Sequence, residues 1–243
     1  MTSLGRIDSI WRYPVSSMGG EQLSRAQIET GGIAGDRQWG LVDQRDGSIV
    51  NPHVRREWRP IPGIVARLAA SGVQILVPAG SWLEAVSAQA QQAISNFLGF
   101  EADLLAHVPY GTVGRNAIAP RYQRASLLLL TTASMRKLAG LLGSAGEVDA
   151  RRFRPNIVVE TAADAAGFVE QEWIDRELAI GESVVKVREP CPRCPFVNLA
   201  QSELSSLASV LHTITQEAEG NFGVYCDVVK GGLVRKGDAA MLA

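Results

Sequence analysis

Short apolar runs separated by turn-forming residues dominate the first eighty positions of the chain. Four such runs are bounded by Gly, Pro, Asp or Asn, as β-strands are: Ile7 to Trp11, Gln38 to Val42, Ile64 to Leu68 and Val73 to Val77. No helical pattern separates them. The sequence therefore predicts an antiparallel or barrel-like sheet here rather than alternating strands and helices.

Three later stretches carry the three-to-four-residue apolar spacing of a helix. The first is Ala85 to Leu98. The second follows a buried strand at Leu127 to Leu130 and begins at an N-cap supplied by Thr131 or Thr132. The third is predicted to begin at a Ser202 cap and to bury four apolar residues, Leu204, Leu207, Leu211 and Ile214.

The second half of the chain returns to strand patterns. These are predicted at Asn156 to Glu160, Ser183 to Arg188, Val224 to Val229 and Leu233 to Arg235. Residues 108–126 lack periodicity and carry Gly, Pro and three arginines, which is typical of a linker or loop. We therefore predict a mainly β protein with some α structure (α+β), divided into residues 1–110 and 111–243.

Composition excludes several classes of protein. A chain of 243 residues and 26.1 kDa with 46% hydrophobic residues has enough apolar surface for a packed core and is not disordered. Its net charge of −1 provides no overall field for nucleic acid or an anionic membrane, and neither partner is expected. With no secretory pattern, no run long enough to span a bilayer, and three cysteines, a cytoplasmic location is predicted.

The most informative segment is EPCPRCP, from residue 189 to residue 195. A thiolate is a soft ligand for zinc, iron–sulfur or molybdenum and is also a nucleophile. Arg193 between Cys191 and Cys194 could grip an anion beside a metal. A C-x-x-C with a packing role alone is the alternative. Zinc would require four ligands, and a redox pair should open a helix, whereas Pro195 follows directly.

Two arginine-containing segments are further candidates. Residues 151–156 read RRFRPN, and three guanidiniums beside a stiff turn can clamp a phosphate. Residues 31–37 read GGIAGDR, where glycines allow a close approach of the backbone to a ligand. A solvated turn and an ordinary hairpin are the alternatives. His53, His107 and His212 are not at metal-binding spacing, and His53 is noted only as a residue that could lie near a pocket.

Taken in order, several segments match one pattern along nearly the whole chain. They are WRYPVSSMGGE (11–21), GIAGDRQW (32–39), LLLLTTASMRKL (127–138), FRPNI (153–157), Trp173 with LAIG (178–181), CPRC (191–194) and the stretch from Phe222 to Asp238. On these segments the chain resembles the MOSC family, named for the C-terminal domain of molybdenum cofactor sulfurase. Within that family it is most similar to the mitochondrial amidoxime-reducing component and its bacterial relatives.

This resemblance implies a fold and a site. The fold is a MOSC β-barrel at 111–243, with a smaller N-terminal MOSC-type β module at 1–110 and a few packed helices. A molybdenum cofactor (Mo-molybdopterin) is expected between them, and pyridoxal phosphate is not. Cys194 is implied as the catalytic cysteine and molybdenum ligand. The residues implied in binding the cofactor are Ser17, Arg37, Arg154, Asn156, Arg193 and Cys191.

The resemblance also implies an activity. We expect reduction of small N-hydroxylated compounds with electrons from a separate flavin or iron–sulfur protein. The alternative is a carrier that holds persulfide sulfur or molybdenum cofactor without turnover. Ser16 stands where the family has a lysine, so one expected cation of the cofactor site is replaced.

Overall fold

The computed structural model describes residues 2–108, 117–118, 125–143 and 148–243. The predicted linker at 108–126 lies mostly outside these residues. The helices are α1 (Ala88–Leu98), α2 (Thr132–Leu141) and α3 (Ser209–Ala218). The strands are β1 (Thr2–Arg12), β2 (Glu21–Leu23), β3 (Arg25–Glu29), β4 (Gly32–Ile33), β5 (Trp39–Asp43), β6 (Ser48–Ile49), β7 (Val65–Ala69), β8 (Gly72–Leu76), β9 (Trp82–Glu84), β10 (Ala102–His107), β11 (Ala117–Ile118), β12 (Leu127–Thr131), β13 (Ile157–Glu160), β14 (Glu177–Ile180), β15 (Ser183–Pro192), β16 (Asn221–Lys230), β17 (Gly232–Arg235) and β18 (Ala239–Leu242).

Seven strands close into a barrel. Their order is β13-β12-β16-β15-β14-β18-β1, and β1 pairs back with β13 to complete the ring. All of these pairs are antiparallel except β12 with β13, which is parallel. Closure leaves no open sheet edge in the ring. The predicted β-rich class with a barrel is thus confirmed.

Strand β12 shows how the sequence forms two cores at once. All five of its residues are buried, and side chains alternate between the two faces of a strand. Leu129 points into the barrel interior, where it packs with residues such as Val187 and Val224. Leu130 points outward and packs with Phe222 under α2 and α3. A strand covered on both faces is expected to read as a continuous apolar run.

The helix caps test the predicted boundaries. Thr131 is the N-cap of α2, and its Oγ1 accepts a hydrogen bond from the Ser134 amide at 3.2 Å, as predicted. The prediction that α3 begins at Ser202 is wrong, because the helix begins at Ser209. The backbones of Gln201 and Leu204 instead bond to each other in both directions, at 2.9 and 2.7 Å, and form a tight turn.

The first half of the chain builds a separate core. Strands β5, β6, β10 and β11 form one sheet and β7, β8 and β9 another. Helix α1 begins at Ala88 behind a Ser87 cap rather than at Ala85, so Val86 lies before the helix and is 74% exposed. Trp58 and Ile94 lie in the core between these elements. Since β1 and β3 pair with strands from the end of the chain, the division at residue 110 stays a prediction.

In the part of the chain that the structure describes, no helix is both long enough and apolar enough to cross a bilayer.

Candidate functional site

A cleft of about 800 Å³ lies where the cysteine segment of the barrel faces loops from the first half of the chain. All seven residues predicted as site residues line it: Ser17, Arg37, Arg154, Asn156, Cys191, Arg193 and Cys194. Residues 17 and 194 are far apart in sequence, so the fold itself assembles this group. The predicted convergence of these residues is therefore observed, while their roles in binding and catalysis stay predictions.

Three of the cleft residues hold an unusual backbone conformation. Ser17, Arg37 and Arg154 have φ angles of 69°, 49° and 55°, in the left-handed region that non-glycine residues rarely adopt. Such conformations cost about 1–3 kcal/mol each and concentrate at functional sites. Their presence together supports the cleft as the functional site.

Two guanidiniums stack on one buried ring. The Cζ atoms of Arg154 and Arg37 lie 4.2 and 5.1 Å from the centroid of the Tyr13 ring. Burial raises the pKa of Tyr13 above its ordinary value, although both arginines oppose this, so the phenol is neutral. Burial, the largest single effect, would lower the pKa of Arg37, but Asp36, Tyr13 and Tyr225 together outweigh it and raise that pKa. Arg37 is therefore charged, and its guanidinium pairs with the Asp36 carboxylate, which also lines the cleft.

The side chain of Asn156 organises this region. Its Nδ2 donates to Trp11 O at 3.3 Å and to Asp36 Oδ2 at 3.1 Å. Its Oδ1 accepts from Leu128 N at 3.1 Å and from Arg37 Nη1 at 3.2 Å. The amide is 1% exposed, and its contacts tie β1, β12 and the Arg37 turn together. Its contacts thus position Arg37.

The guanidinium groups of Arg154 and Arg193 donate hydrogen bonds to main-chain oxygens. Arg154 donates to Met18 O and, at 3.4 Å, to Val15 O, and so fixes the turn that carries Ser16 and Ser17. Arg193 donates from Nε to Phe222 O at 2.8 Å and from Nη1 to Phe153 O at 2.9 Å. Arg193 therefore anchors the cysteine loop to β16.

The cysteines occupy three different environments. Cys191 lies within β15, which runs four residues beyond its predicted end at Arg188, and is 1% exposed. Cys194 follows the strand, half-buried, and precedes a short 3₁₀ helix at Pro195–Asn198. Cys226 is buried inside the barrel, and this burial raises the pKa of its thiol. Cys194 is thus the most accessible of the three thiols.

His53 is the site residue that sequence reasoning missed as a partner for the cysteine. Its Nδ1 lies 3.6 Å from Cys194 Sγ, although the two residues are 141 positions apart. Its Nε2 lies 3.5 Å from Asn51 Nδ2. No local pattern marks this contact, because it depends on how a turn of the first half meets the barrel. Only the sequence Asn51-Pro52-His53, a turn with polar residues, hinted at it.

The donor set of the cleft fits a molybdenum cofactor. Arg37 and Arg154 bring positive charge suited to a phosphate, and Cys194 offers one soft sulfur ligand. Among the described residues, no group of three or more His, Cys, Asp or Glu side chains could hold a metal ion. A metal bound to Cys194 would thus need ligands other than a cluster of these side chains. Within the same residues, the buried Asn51 Oδ1 has no hydrogen-bond partner and can accept an N–H from a ligand.

The fold and the cleft together define a β-barrel protein whose most accessible thiol shares a cleft with the side chains of Arg37 and Arg154. Comparison with known families agrees. Residues 101–240 match the MOSC domain, and residues 4–95 match the MOSC N-terminal beta barrel domain. Because the first match alone covers more than half of the chain, the chain belongs to the MOSC domain family. The resemblance inferred from the motifs is confirmed.

Two curated relatives show what the chain is similar to. The mitochondrial amidoxime reducing component 2 of Homo sapiens is 27% identical over 289 residues, covering 98% of this chain and 83% of that protein. The molybdenum cofactor sulfurase of Anopheles gambiae is 35% identical over 113 residues, covering 42% of this chain. The match spans only 14% of the length of that sulfurase.

A solved structure shares the fold. The YUAD protein from Bacillus subtilis superposes with a TM-score of 0.53 at 12% identity, over 98% of this chain and 94% of that one. At this identity the likeness concerns the fold alone.

Proposed function

We propose that this chain binds a molybdenum cofactor in the cleft and reduces small N-hydroxylated compounds. A separate flavin or iron–sulfur protein would supply the electrons. The observation that carries this proposal is the convergence of the Cys194 thiol with Arg37 and Arg154 in one cleft of a MOSC-family chain. The similarity to the human amidoxime reducing component supports the choice of substrate class.

The residues of the chain would divide the work of binding. Cys194 would ligate the metal, and the guanidiniums of Arg37 and Arg154 would hold the anionic part of the cofactor. When bound, the cofactor supplies the reduction that removes oxygen from an N–O group. The turn carrying Ser17, fixed by Arg154, would close the same side of the cleft.

Part of the cleft lining is apolar. It includes Phe196, Val197, Leu127 and Leu128, and the Phe196 ring centroid lies 5.6 Å from Arg154 Cζ. Ligand sites commonly combine apolar lining with a few polar groups that fix orientation. We infer that these apolar residues receive the hydrocarbon part of the substrate and leave the N-hydroxyl group toward Cys194.

The test is metal and pterin analysis of protein made in a host that synthesises molybdenum cofactor. We expect near-stoichiometric molybdenum and turnover of an amidoxime or hydroxylamine with a reduced electron carrier. Cys194→Ser should remove this turnover while the protein stays folded. Cys226→Ala, which alters a thiol inside the barrel, is the matched control and should keep it. Unchanged turnover in Cys194→Ser would contradict the ligand assignment.

The contact between Cys194 and His53 favours a second candidate, a sulfur carrier. An attacking thiolate is stabilised by a hydrogen-bond donor beside it, and His53 Nδ1 lies 3.6 Å from Cys194 Sγ. Sulfane sulfur would pass from a donor persulfide to Cys194, and the Cys194 proton would pass to the departing donor thiolate. Stoichiometric sulfane sulfur on Cys194 after incubation with a cysteine desulfurase, in protein lacking molybdenum, would favour this candidate.

The cytoplasmic location and the absence of nucleic-acid and membrane partners remain predictions.

A further inference from the structure

A pair of side chains from the first half of the chain meets the cysteine loop of the barrel. We propose that His53 is a positioning residue, which donates its Nδ1–H to Cys194 Sγ and fixes the direction of the sulfur in the cleft. The part of this inference that concerns metal binding rests on the proposed function. The hydrogen bond itself does not.

The neighbouring amide determines which ring nitrogen of His53 carries the proton. Asn51 Nδ2 lies 3.5 Å from His53 Nε2, and an amide NH₂ group can only donate. Nε2 must therefore accept, so the proton of the neutral imidazole is on Nδ1. That nitrogen lies 3.6 Å from Cys194 Sγ and donates to it.

The turn that carries His53 is held at both ends. On the near side, the Val54 amide donates to Asn51 O at 2.9 Å and closes the turn. On the far side, Trp58 is 2% exposed, and its Nε1 donates to Asp43 Oδ2 at 2.9 Å. The imidazole is thus presented to Cys194 from a tethered turn, which is what orientation of a ligand atom requires.

This arrangement has a consequence for the metal site. Residues that hydrogen-bond to a metal ligand orient it, and their loss commonly weakens metal affinity about 10–100-fold. The Cys194 loop is anchored to the barrel by Arg193, whereas His53 and Asn51 belong to the first half of the chain. The direction of the Cys194 sulfur therefore depends on how the turn that carries His53 is placed against the cysteine loop.

The first experiment reads the hydrogen bond directly, in protein without cofactor. The chain has three histidines, so ¹⁵N-histidine labelling gives a simple NMR spectrum. His53→Asn identifies the His53 signals by their loss. We expect the Nδ1-protonated tautomer for His53 and a change in its Nδ1 shift in Cys194→Ala. The proposal would be overturned by an Nε2-protonated ring, or by an Nδ1 chemical shift that is the same in Cys194→Ala and in the unmodified protein.

The second experiment measures molybdenum retained after gel filtration, using protein from a cofactor-producing host. We expect His53→Ala to weaken cofactor binding about tenfold or more. In His53→Asn, an amide nitrogen lies near the position of Nδ1 and can donate the same hydrogen bond. The affinity of this variant for the cofactor should therefore stay within about threefold of that of the unmodified protein. His212→Ala changes an exposed histidine on α3 and is the matched control.

The two proposals fail in different ways. Molybdenum retained equally by His53→Ala and the unmodified protein would refute the positioning role. An unmodified protein that binds no molybdenum would refute the proposed function, and the NMR experiment would then decide the Cys194–His53 hydrogen bond alone.

Discussion

Replacing Asn156 by Ala removes the amide that holds the Arg37 side of the cleft to the barrel. Four hydrogen bonds disappear, to Trp11 O, Leu128 N, Asp36 and Arg37. The site is 1% exposed, so water cannot easily replace the lost partners. The backbone bonds from Trp11 N to Asn156 O and from Asn156 N to Leu128 O remain, so the backbone of residue 156 stays attached to β1 and β12.

The size of the effect follows from the kinds of bond involved. Each hydrogen bond contributes about 1 kcal/mol net, and those to charged groups about 1.5–3 kcal/mol. Relaxation around the small cavity returns part of this sum. We therefore expect Asn156→Ala to lower the free energy of unfolding by about 3–4 kcal/mol. For a chain of this size that corresponds to a fall in Tm of about 6–16 °C.

Urea denaturation followed by circular dichroism measures this change. Asn96→Ala is the control, since Asn96 is exposed on α1 and its Oδ1 accepts a hydrogen bond from Gln92 at the surface. That control should change stability by less than about 0.5 kcal/mol. A loss below about 1 kcal/mol in Asn156→Ala would show that the amide does not organise the cleft and that Arg37 is held by other contacts.

Three further predictions concern stability. The hydrogen bond from Arg45 holds the pKa of the Asp43 carboxyl below its ordinary value. The ionised carboxylate therefore stabilises the fold above about pH 4, and this stability is lost as the pH falls. In acid titrations, the stability of Asp43→Asn should change less steeply below about pH 4 than that of the unmodified protein. Burial raises the pKa of the Glu170 carboxyl, which favours its neutral form in the folded state. The stability that this group contributes is therefore complete at low pH and is lost as the pH rises through the raised pKa. Glu170→Gln should thus unfold at a higher urea concentration than the unmodified protein at pH 8 and at a similar one at pH 4, and equal unfolding midpoints of the two proteins at both pH values would contradict this. A Cβ on Gly223, where φ is 77°, would lie 2.8 Å from Leu129 O. Gly223→Ala should therefore lower the free energy of unfolding by about 1–3 kcal/mol in urea denaturation. Gly140→Ala on α2 is the control, because a Cβ there meets nothing within 4 Å.

Local patterns predicted much of the fold because they act through neighbouring residues. The apolar run at Leu127 to Leu130 and the Thr131 cap are fully determined by residues close in sequence. The start of α3 was mispredicted for the opposite reason. Leucine spacing suggested a helix from Ser202, but Ser202 has a φ of 45° and Leu204 bonds back to Gln201.

The site shows the same contrast. Motifs identified the arginines and cysteines, because each motif is a local turn with distinctive residues. They could not reveal that Arg193 uses its guanidinium on Phe222 and Phe153, or that His53 approaches Cys194. These contacts depend on the packing of segments that are far apart along the chain.

The closure of the barrel by β1 also sets the order in which the chain can fold during synthesis. Thr2 pairs with Leu242, and Arg6 pairs with both Ala239 and Glu160. Strand β1 is synthesised long before β18 and must therefore wait for it before its pairing is complete. Contacts of such long sequence separation slow folding and leave unpaired strands exposed meanwhile. The nascent chain is thus expected to depend on chaperones until β18 emerges.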